Sequence, residues 1–352
     1  MYGSFSRRPD ITLITRRRNN VLSHAYVSRI IEIPLDVESD TDPLRPAARI
    51  FVTFGRTIVY LVYVMFLLPR LALDGIDLVH AHFLLPQGLA GVLISRATGA
   101  PLVLTAAGSD VNVLATHTLM REIIQHIIFP HSQVVAVSQP LLRKLEALGC
   151  RNIRYIPNCV EMPADHVAVQ QLSKILFVGR LIPEKRPDVL VRAFSKVASQ
   201  VSDATLTIVG SGPMQKDLQT LTSNLGLVRR VCFTGYLNDE ELMPIYKESG
   251  IFVMPSVSEG LSVAVLEAMS FGLRVIVSEP AGSEIIEDGV HGLVFRVDDV
   301  DELVGRILWV IKNPAKSSQL SSNARSLCER EYAVSVVAPK LEQLYAEACS
   351  RD

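Results

Sequence analysis

The segment GIFVMPSVSEGLSVAVLEAMSFG, residues 250–272, decides the fold class. It opens with a short apolar run typical of a buried strand and passes through a turn containing Ser and Gly. It then continues in an apolar run that Gly272 stops, which predicts a helix over Leu261–Phe271. A buried strand followed at once by a helix is the repeating unit of a parallel α/β sheet. The segment also contains two glutamates, Glu259 and Glu267, whose role has to be explained.

The same alternation of short β-branched runs and helical patterns extends over most of the 352 residues. In the first half the predicted strands are DITLIT, IDLVHAH, PLVLTAAGSD, QVVAVS and NIRYIPN. In the second half they are KILFVGRL, ATLTIVGSG, RRVCFTGYL, GIFVMPS, LRVIVSE and GLVFRV. Between the halves, NCVEMPADHVAVQQLS (158–173) shows no periodicity and is predicted to be a linker. The sequence therefore predicts an α/β protein of two doubly wound domains.

The composition limits the classes of function. Hydrophobic residues make up 49% of the chain and charged residues 20%, which suits a globular protein with sizeable cores. A net charge of −1 argues against a nucleic-acid partner, in spite of a basic start with Arg7, Arg8 and Arg16–Arg18. The five cysteines form no C-x-x-C pair, which argues against a zinc site and favours a reducing cytosol. Without a secretory signal before the first predicted strand, we expect a cytoplasmic protein.

One long apolar segment, RIFVTFGRTIVYLVYVMFLLPRLAL (49–73), raises the question of a membrane. Its uninterrupted part, Ile58–Leu68, has 11 residues, whereas a helix needs about 20 to cross a bilayer. We therefore expect a helix that is buried in the first domain or lies at a membrane interface, with a spanning segment as the third alternative. The interface alternative implies a peripheral contact with the cytosolic face of a membrane.

Basic and glycine residues follow two predicted strands of the second half. Ligands of open α/β sheets bind beyond the carboxyl ends of the strands. Arg180 and Lys185 come after KILFVG and would supply the fixed positive charge that a phosphate group requires. Gly210 and Gly212, in TIVGSGP, would let the backbone approach a ligand closely, although a lone G-x-G is more often an ordinary turn.

The two glutamates follow a third strand. Glu259 comes after GIFVMPS, where the N–H groups of Gly260 and Leu261 would lie at a helix N-terminus suited to a phosphate. If residues 259–267 were wholly helical, the two glutamates would be roughly 12 Å apart, about the reach of a nucleoside diphosphate-sugar. We interpret the carboxylates as acceptors for sugar and ribose hydroxyls. The alternative is a pair of solvated helix charges, against which the apolar run around Glu267 argues.

The order of G-R-x-x-x-x-K (179–185), VGSGP, FTGYL, PSVSEGLSVAVLEAMSFG and DGVHGLVF resembles the carboxyl-terminal half of the retaining glycosyltransferases of family 4. The resemblance implies the GT-B fold, in which two Rossmann-like domains face each other, and a nucleotide diphosphate-sugar donor. By this resemblance Arg180 and Lys185 hold the diphosphate, Glu259 positions the sugar and Glu267 binds the ribose. The remaining donor contacts that it implies are Gly210, Tyr236, Leu237, Gly260, Leu261 and Ser262. No metal or other cofactor is expected, because Arg and Lys would stabilise the leaving diphosphate.

The first half resembles the family less completely. DGIDLVHAHF and PLVLTAAGSD stand where the family has H-x-H and T-x-H-G-x-D, which implies acceptor-side roles for His82, Gly108 and Asp110. Ala107 occupies the place of a histidine that faces the reacting sugar in many relatives, and Cys159 replaces the usual glycine of IPNGVD. The SDTD run superficially resembles a metal-binding D-x-D, but it belongs to an acidic loop far from the other motifs.

The family usually opens with a strand, a glycine-rich loop and a long helix before the strand that DITLIT resembles. Here only about ten residues precede that strand, so we expect the first domain to lack this unit, through a shortened protein or a start that lies upstream. The predicted boundaries are an incomplete first domain over 1–160, a donor-binding domain over 161–335 and a helix over 336–352 that packs on the first domain.

The leading hypothesis is a retaining glycosyltransferase of the hexosyl type that acts on a glycan or lipid-linked acceptor. The alternative, which Ala107 and the short start favour, is a sugar-nucleotide-binding or scaffold protein without turnover. A GT-B epimerase or phosphorylase is a third alternative, but the motifs show neither an additional base nor a signature for a lysine-bound cofactor.

Overall fold

The computed structural model describes residues 46–106, 108, 111, 118–163, 171–282 and 284–350, and strands at 11–16 and 27–33; before residue 58 it describes the backbone alone. The chain divides into two compact units, Met1–Pro157 with Val337–Asp352, and Asn158–Val336. Every sheet in the described residues pairs its strands in parallel, and helices connect most of the strands. The predicted α/β class is therefore confirmed.

The first unit contains a two-stranded sheet and a four-stranded sheet. Strand β1 (Ile11–Arg16) pairs with β2 (Val27–Ile33). The second sheet has the order β3-β4-β5-β6. Its strands are β3 (Val79–His82), β4 (Leu102–Ala106), β5 (Gln133–Ala136) and β6 (Ile153–Tyr155). Strand β5 is buried at every residue and β4 at all but one, as expected for a parallel sheet covered on both faces.

The helices of the first unit start and end where the sequence supplies the local signals. The helices are α1 (Pro46–Leu73), α2 (Leu89–Thr98), α3 (Thr118–Ile123) and α4 (Gln139–Ala147). Helix α2 ends at Gly99, whose left-handed φ of 77° closes the last turn. Helix α4 begins at Ser138, whose hydroxyl accepts a hydrogen bond from the Leu141 N–H. Short π and 3₁₀ turns occupy Leu84–Gly88, Ile124–Ile128 and Phe129–His131.

The long apolar segment forms α1, as predicted. Its Tyr60, Val64 and Leu71 are buried against Ala90 and Ile94 of α2. Along another side, large apolar side chains remain exposed at helical spacing, and they are Ile58, Val59, Val62, Met65, Phe66 and Leu73. Within the described part of the chain, no helix is both long and apolar enough to cross a membrane.

The last helix, α12 (Val334–Cys349), begins two residues before the predicted 336, and its residues from Val337 onward belong to the first unit. Leu341 and Leu344 on this helix are buried. Glu347 pairs with Arg154 of β6 through both carboxylate oxygens. The first unit is therefore assembled from two stretches of chain that are far apart in sequence.

The second unit is built on one six-stranded parallel sheet of order β12-β11-β10-β7-β8-β9. The strands are β7 (Gln171–Val178), β8 (Thr205–Val209), β9 (Val231–Gly235), β10 (Ser249–Met254), β11 (Arg274–Ser278) and β12 (Leu293–Phe295). Counted from β7, this is the 3-2-1-4-5-6 order of a Rossmann sheet, so the order reverses between β7 and β10. Strand β10 is buried at every residue because it lies in the middle of the sheet.

Seven helices of this unit lie within the described residues. They are α5 (Pro187–Ala198), α6 (Gln215–Asn224), α7 (Asp239–Glu248), α8 (Val263–Ser270), α9 (Glu279–Gly282), α10 (Val300–Lys312) and α11 (Pro314–Leu327). Helix α7 begins with a capping box in which the Asn238 side chain accepts from the Glu241 N–H and Glu241 accepts from the Asn238 N–H. Asp299 caps α10 in a similar way, by accepting from the Glu302 N–H.

Two local predictions are corrected. The segment 158–173 is not a linker throughout, because β7 begins at Gln171 and Val160 forms a parallel bridge with Ala333. Polar residues at the start of β7 give no apolar period, and an isolated bridge between residues far apart in the sequence leaves no local pattern. Helix α8 begins at Val263 rather than Leu261 and ends at Ser270. The first stretch of the first unit ends at Pro157, three residues before the predicted domain boundary at 160. The second unit ends at Val336, one residue after the predicted boundary at 335.

Candidate active site

The loops that follow β7, β8, β9 and β10 meet at the point where the strand order reverses, which is where α/β sheets form ligand crevices. The Leu181 N–H donates to the Ser211 carbonyl at 3.0 Å, and the Gly210 N–H donates to the Gly235 carbonyl at 2.8 Å. The Val257 N–H, after β10, donates to the Glu184 carbonyl at 2.9 Å. These bonds bring together loops that carry five predicted site residues, Arg180, Lys185, Gly210, Tyr236 and Glu259.

The glycines of VGSGP are required by packing between two of these loops. A Cβ at Gly210, whose φ is 130°, would lie 1.9 Å from the Gly179 carbonyl oxygen. A Cβ at Gly212 would lie 2.4 Å from the Leu181 carbonyl oxygen. Both glycines therefore permit a close approach, but to the backbone of the neighbouring loop. The expected close approach of a ligand to these glycines stays a prediction.

Glu259 is held by a lysine and a serine. The Lys185 ammonium forms an ion pair with the Glu259 carboxylate, and only 18% and 10% of the two side chains are exposed. The buried Ser256 hydroxyl donates to the same carboxylate at 2.7 Å. Glu259 is therefore not a solvated helix charge. A partly buried ion pair with an added hydrogen bond fixes both charged groups in place.

The basic and aromatic residues at the rim of this site are more accessible. Arg180 is exposed, and its guanidinium makes no ion pair or hydrogen bond with the part of the chain that the structure describes. Tyr236 is 61% exposed and Leu237 is half-buried, directly after β9. These side chains are free to contact a ligand without first breaking an ion pair.

The turn between Glu259 and α8 is held by Asn158, the first residue of the second unit. The Asn158 Nδ2 atom donates to the Leu261 carbonyl at 2.8 Å. Leu261 and Ser262 are buried and Gly260 is half-buried. Ser262 is the N-cap residue of α8, but its side chain makes no capping bond. The positive end of the helix dipole at this turn is therefore not closed by the serine hydroxyl.

Glu267 lies in a different environment, half-buried on α8. Its Oε2 atom accepts a hydrogen bond of 2.8 Å from the Tyr246 hydroxyl of α7. Burial raises the pKa of Glu267, which the bond from Tyr246 opposes. Tyr246 is buried and stacks on Phe271 with 5.2 Å between ring centroids. Burial, together with the Glu267 charge, raises the pKa of Tyr246 well above its usual range. The phenol is therefore a fixed, neutral donor.

Tyr246 and Asn158 were missed by the sequence analysis. Tyr246 lies in a helix whose other buried residue is Leu242, and a buried phenol usually finds a hydrogen-bond partner. That signal could have indicated Tyr246, although not its partner. Asn158 follows a proline beside an irregular segment, where its side chain could equally have formed a local turn.

In the first unit, His82 is exposed at the end of β3, and its ring stacks on that of His80 with 4.5 Å between centroids. His80 contacts the Tyr345 hydroxyl through Nδ1 at 2.5 Å and the Thr105 hydroxyl through Nε2 at 2.8 Å. Burial, then the neighbouring charge of His82, lowers the pKa of His80 to about 3. His80 is therefore neutral near pH 7 and donates through one nitrogen while it accepts through the other.

Two further features follow His82. Phe83 has a φ of 75°, a strained conformation for a residue with a side chain, of the kind that clusters at functional sites. The Gln87 Oε1 atom is buried without a hydrogen-bond partner among the described residues. Gly108, another predicted acceptor-side residue, has a φ of 98°. Asp110 and Ala107, like the SDTD run, lie outside the described residues.

No group of three His, Cys, Asp or Glu side chains within the described ranges could hold a metal ion. The absence of a metal from the reaction stays a prediction.

Comparison with known proteins accounts for both halves of the chain. Residues 161–327 match the family model described as Glycosyl transferases group 1, and residues 6–162 match the model described as Glycosyltransferase Family 4. The chain belongs to the group 1, family 4 glycosyltransferases that these two models describe. The expected shortening at the amino terminus stays a prediction.

The curated relatives of this glycosyltransferase differ in what they are named for. The N-acetyl-alpha-D-glucosaminyl L-malate synthase of Bacillus anthracis is 24% identical over 79% of this chain and 77% of its own length. The UDP-Gal:alpha-D-GlcNAc-diphosphoundecaprenol alpha-1,3-galactosyltransferase of Escherichia coli is 25% identical over 77% of this chain and 75% of its own length. Other relatives are matched over less than half of their length.

Solved structures show the same fold. Anabaena HepE, crystallised with UDP and glucose, superimposes with a TM-score of 0.67 and 20% identity, over 80% of this chain and 81% of HepE. At this identity the likeness shows the fold alone. The predicted GT-B fold is confirmed.

Proposed function

We propose that this glycosyltransferase moves a hexose from a nucleoside diphosphate-sugar to a glycan or lipid-linked acceptor, with retention of configuration. The observation that carries the proposal is the partly buried Lys185–Glu259 pair at the reversal of the strand order. A cation and a carboxylate there suit the two ends of such a donor, its diphosphate and its sugar. The E. coli relative is named for a UDP-sugar, and HepE was crystallised with UDP and glucose, which supports this class of donor.

In the proposed complex the diphosphate is bound by cations and backbone N–H groups. Arg180 is accessible, and Lys185 would divide its ammonium between Glu259 and a phosphate oxygen. The N–H groups at Gly260, Leu261 and Ser262 lie at the positive end of α8, which favours an anion. These groups would stabilise the negative charge that develops on the leaving diphosphate, so that no metal is required.

The two carboxylates take different parts of the donor in this proposal. Glu259 positions the sugar by accepting bonds from its hydroxyls. Glu267 accepts from the ribose, and Tyr246 occupies its Oε2 atom while Oε1 is left for the ligand. Gly210, with Tyr236 and Leu237, would lie beside the base and the diphosphate. On the acceptor side we assign His82, Gly108 and Asp110.

The test is turnover with a panel of sugar nucleotides. Release of nucleoside diphosphate that increases with a glycan or lipid-linked acceptor, with the product's anomeric configuration retained by NMR, is the expected result. Activity should survive chelation of divalent metal ions. Inverted configuration or abolition by chelator would overturn the corresponding part of the proposal.

A second function is favoured by Ala107, which replaces the histidine that faces the reacting sugar in many relatives. In this alternative the protein binds a sugar nucleotide without turnover. The same panel separates the two functions. Saturable binding of a sugar nucleotide by calorimetry, with no release of diphosphate in the presence of any acceptor, would favour the binding protein.

We also propose that α1 contacts the cytosolic face of a membrane peripherally, which would suit a lipid-linked acceptor. The support is the exposed apolar side of α1, on which Phe66 is 80% and Met65 is 57% exposed. Flotation with anionic vesicles tests it. Phe66→Glu and Met65→Glu should abolish flotation, whereas Val228→Glu, at an exposed apolar residue of the second unit, should not. Equal flotation of all three variants would exclude this contact.

A further inference from the structure

Asn158 is fixed in position by its own segment of chain. Two residues after it, the Val160 N–H donates to the Tyr332 carbonyl at 2.9 Å, and the Val160 carbonyl accepts from the Val334 N–H at 3.0 Å. These two bonds anchor the backbone beside Asn158 to the chain at the start of α12. The Asn158 amide is therefore presented to the Leu261 carbonyl from an anchored position.

The bond to Leu261 determines more than the direction of one carbonyl. The peptide unit is planar and trans, so the carbonyl of Leu261 and the N–H of Ser262 point in opposite directions. Fixing the direction of the Leu261 carbonyl therefore also fixes the direction of the Ser262 N–H. Helix α8 accepts its first intrahelical bond at the Ser262 carbonyl, from the Leu266 N–H at 3.2 Å. The Leu261 carbonyl lies outside the helix, and Asn158 supplies its hydrogen bond.

We propose that Asn158 is a positioning residue, which aims the Ser262 N–H at the donor's diphosphate by holding the other end of the same peptide unit. The inference rests on the proposed function, since it assigns a task within that donor site. Asn158 does not touch the donor. Its amide is suited to the task because Nδ2 is a neutral donor, whereas an aspartate of the same size would place a carboxylate oxygen against the Leu261 carbonyl.

The experiment uses the full chain and compares two ligands that differ only in phosphate. Calorimetry measures affinity for UDP, GDP and ADP, and ligand-observed NMR measures affinity for the parent nucleoside. Asn158→Ala should weaken the nucleoside diphosphate about tenfold, as expected when one charge-assisted hydrogen bond is misaligned, and leave the nucleoside unchanged. Asn158→Asp should weaken the diphosphate further, because it adds repulsion.

The control is Asn323→Ala, in the same unit. Like Asn158, Asn323 is half-buried and its side-chain amide donates to a backbone carbonyl, here that of Val290 at 3.0 Å. It should leave the ratio of the two affinities unchanged. If the wild-type chain binds no nucleoside diphosphate, the proposed function fails. If it binds one and Asn158→Ala binds it equally well, the positioning role alone fails. Equal weakening of diphosphate and nucleoside would also overturn that role, since it would indicate general damage to the fold.

Discussion

Glu259 and Glu267 stand eight positions apart in one motif and lie in surroundings of opposite kinds. Glu259 follows a strand and is paired with the Lys185 ammonium, whereas Glu267 lies on a helix and is held by a neutral phenol. An ion pair can respond to charge that develops during a reaction, because its cation is shared with whatever anion approaches. A phenol–carboxylate bond fixes an acceptor in space and changes little during the reaction. In the proposed function, the motif would therefore separate a carboxylate that responds to the reaction from a carboxylate that only binds the donor.

Glu259→Gln should have the largest effect. It removes the charge that the ion pair contributes, and kcat should fall by about 10²- to 10³-fold, the scale for losing one electrostatic group in an active site. Steady-state turnover with a saturating donor is the measurement. Glu248→Gln is the control, because Glu248 pairs with Lys174 in an exposed position. Equal kcat values for the two variants would end the assignment of Glu259 to the reacting sugar.

Lys185→Ala should have the next largest effect, on binding. A charge-assisted hydrogen bond to phosphate contributes about 1.5–3 kcal/mol, so the affinity for a nucleoside diphosphate should fall by that amount. Calorimetry measures it, and Lys174→Ala, which breaks the exposed pair with Glu248, supplies the matched control. An unchanged affinity in Lys185→Ala would mean that the lysine serves only to hold Glu259.

Tyr246→Phe should have a smaller effect and change a different kinetic constant. It removes a hydrogen bond of about 1 kcal/mol, which should raise the donor KM roughly fivefold and leave kcat unchanged, because ribose binding is nearly the same in ground and transition states. Tyr60→Phe, at a buried tyrosine of the first unit, is the control. A fall in kcat without a change in KM would place Glu267 among the groups that act on the reaction itself.

Glu267→Gln should have the smallest of these effects, a change in stability whose size depends on pH. Because burial raises the pKa of Glu267 above its usual 4.5, the folded state favours the protonated form. The stabilisation that this carboxyl contributes is present below pH 4.5 and is lost as pH rises through the folded pKa.

The Gln variant does not titrate and still accepts from Tyr246. Its Tm should therefore exceed that of the wild type near pH 7, and the difference should shrink toward pH 4. At pH 7 the same substitution should raise the donor KM. A Tm difference that stays constant with pH would exclude titration of Glu267 as its source.

The sequence was sufficient for features that depend on local pattern. Strands such as GIFVMPS are recognisable because burial on both faces requires an unbroken apolar run. Lys185 and Glu259 could be located because both follow such runs, and parallel strands bring their carboxyl ends to one edge. Their direct pairing was not predicted, since it depends on which strands are neighbours.

Features that depend on long-range packing could not be predicted. The bond from Asn158 to the Leu261 carbonyl joins distant parts of the sequence, and no periodicity records it. Similarly, Tyr246 could have been expected to need a partner, but Glu267 becomes that partner only when α7 and α8 lie side by side. The glycines at 210 and 212 are an intermediate case. Glycine predicts a close approach, but only the structure shows that the backbone of Gly179 and Leu181 makes it.

The return of the chain to its first unit also has a consequence for synthesis on the ribosome. The first unit takes its last helical segment from residues 337 onward, after the whole second unit has been translated. Until then His80 lacks Tyr345 and Arg154 lacks Glu347. Until these residues are synthesised, part of the apolar surface of the nascent first unit is therefore uncovered, so that the unit can aggregate or bind chaperones. The residues of the second unit are contiguous, so this unit can fold before the first unit is complete.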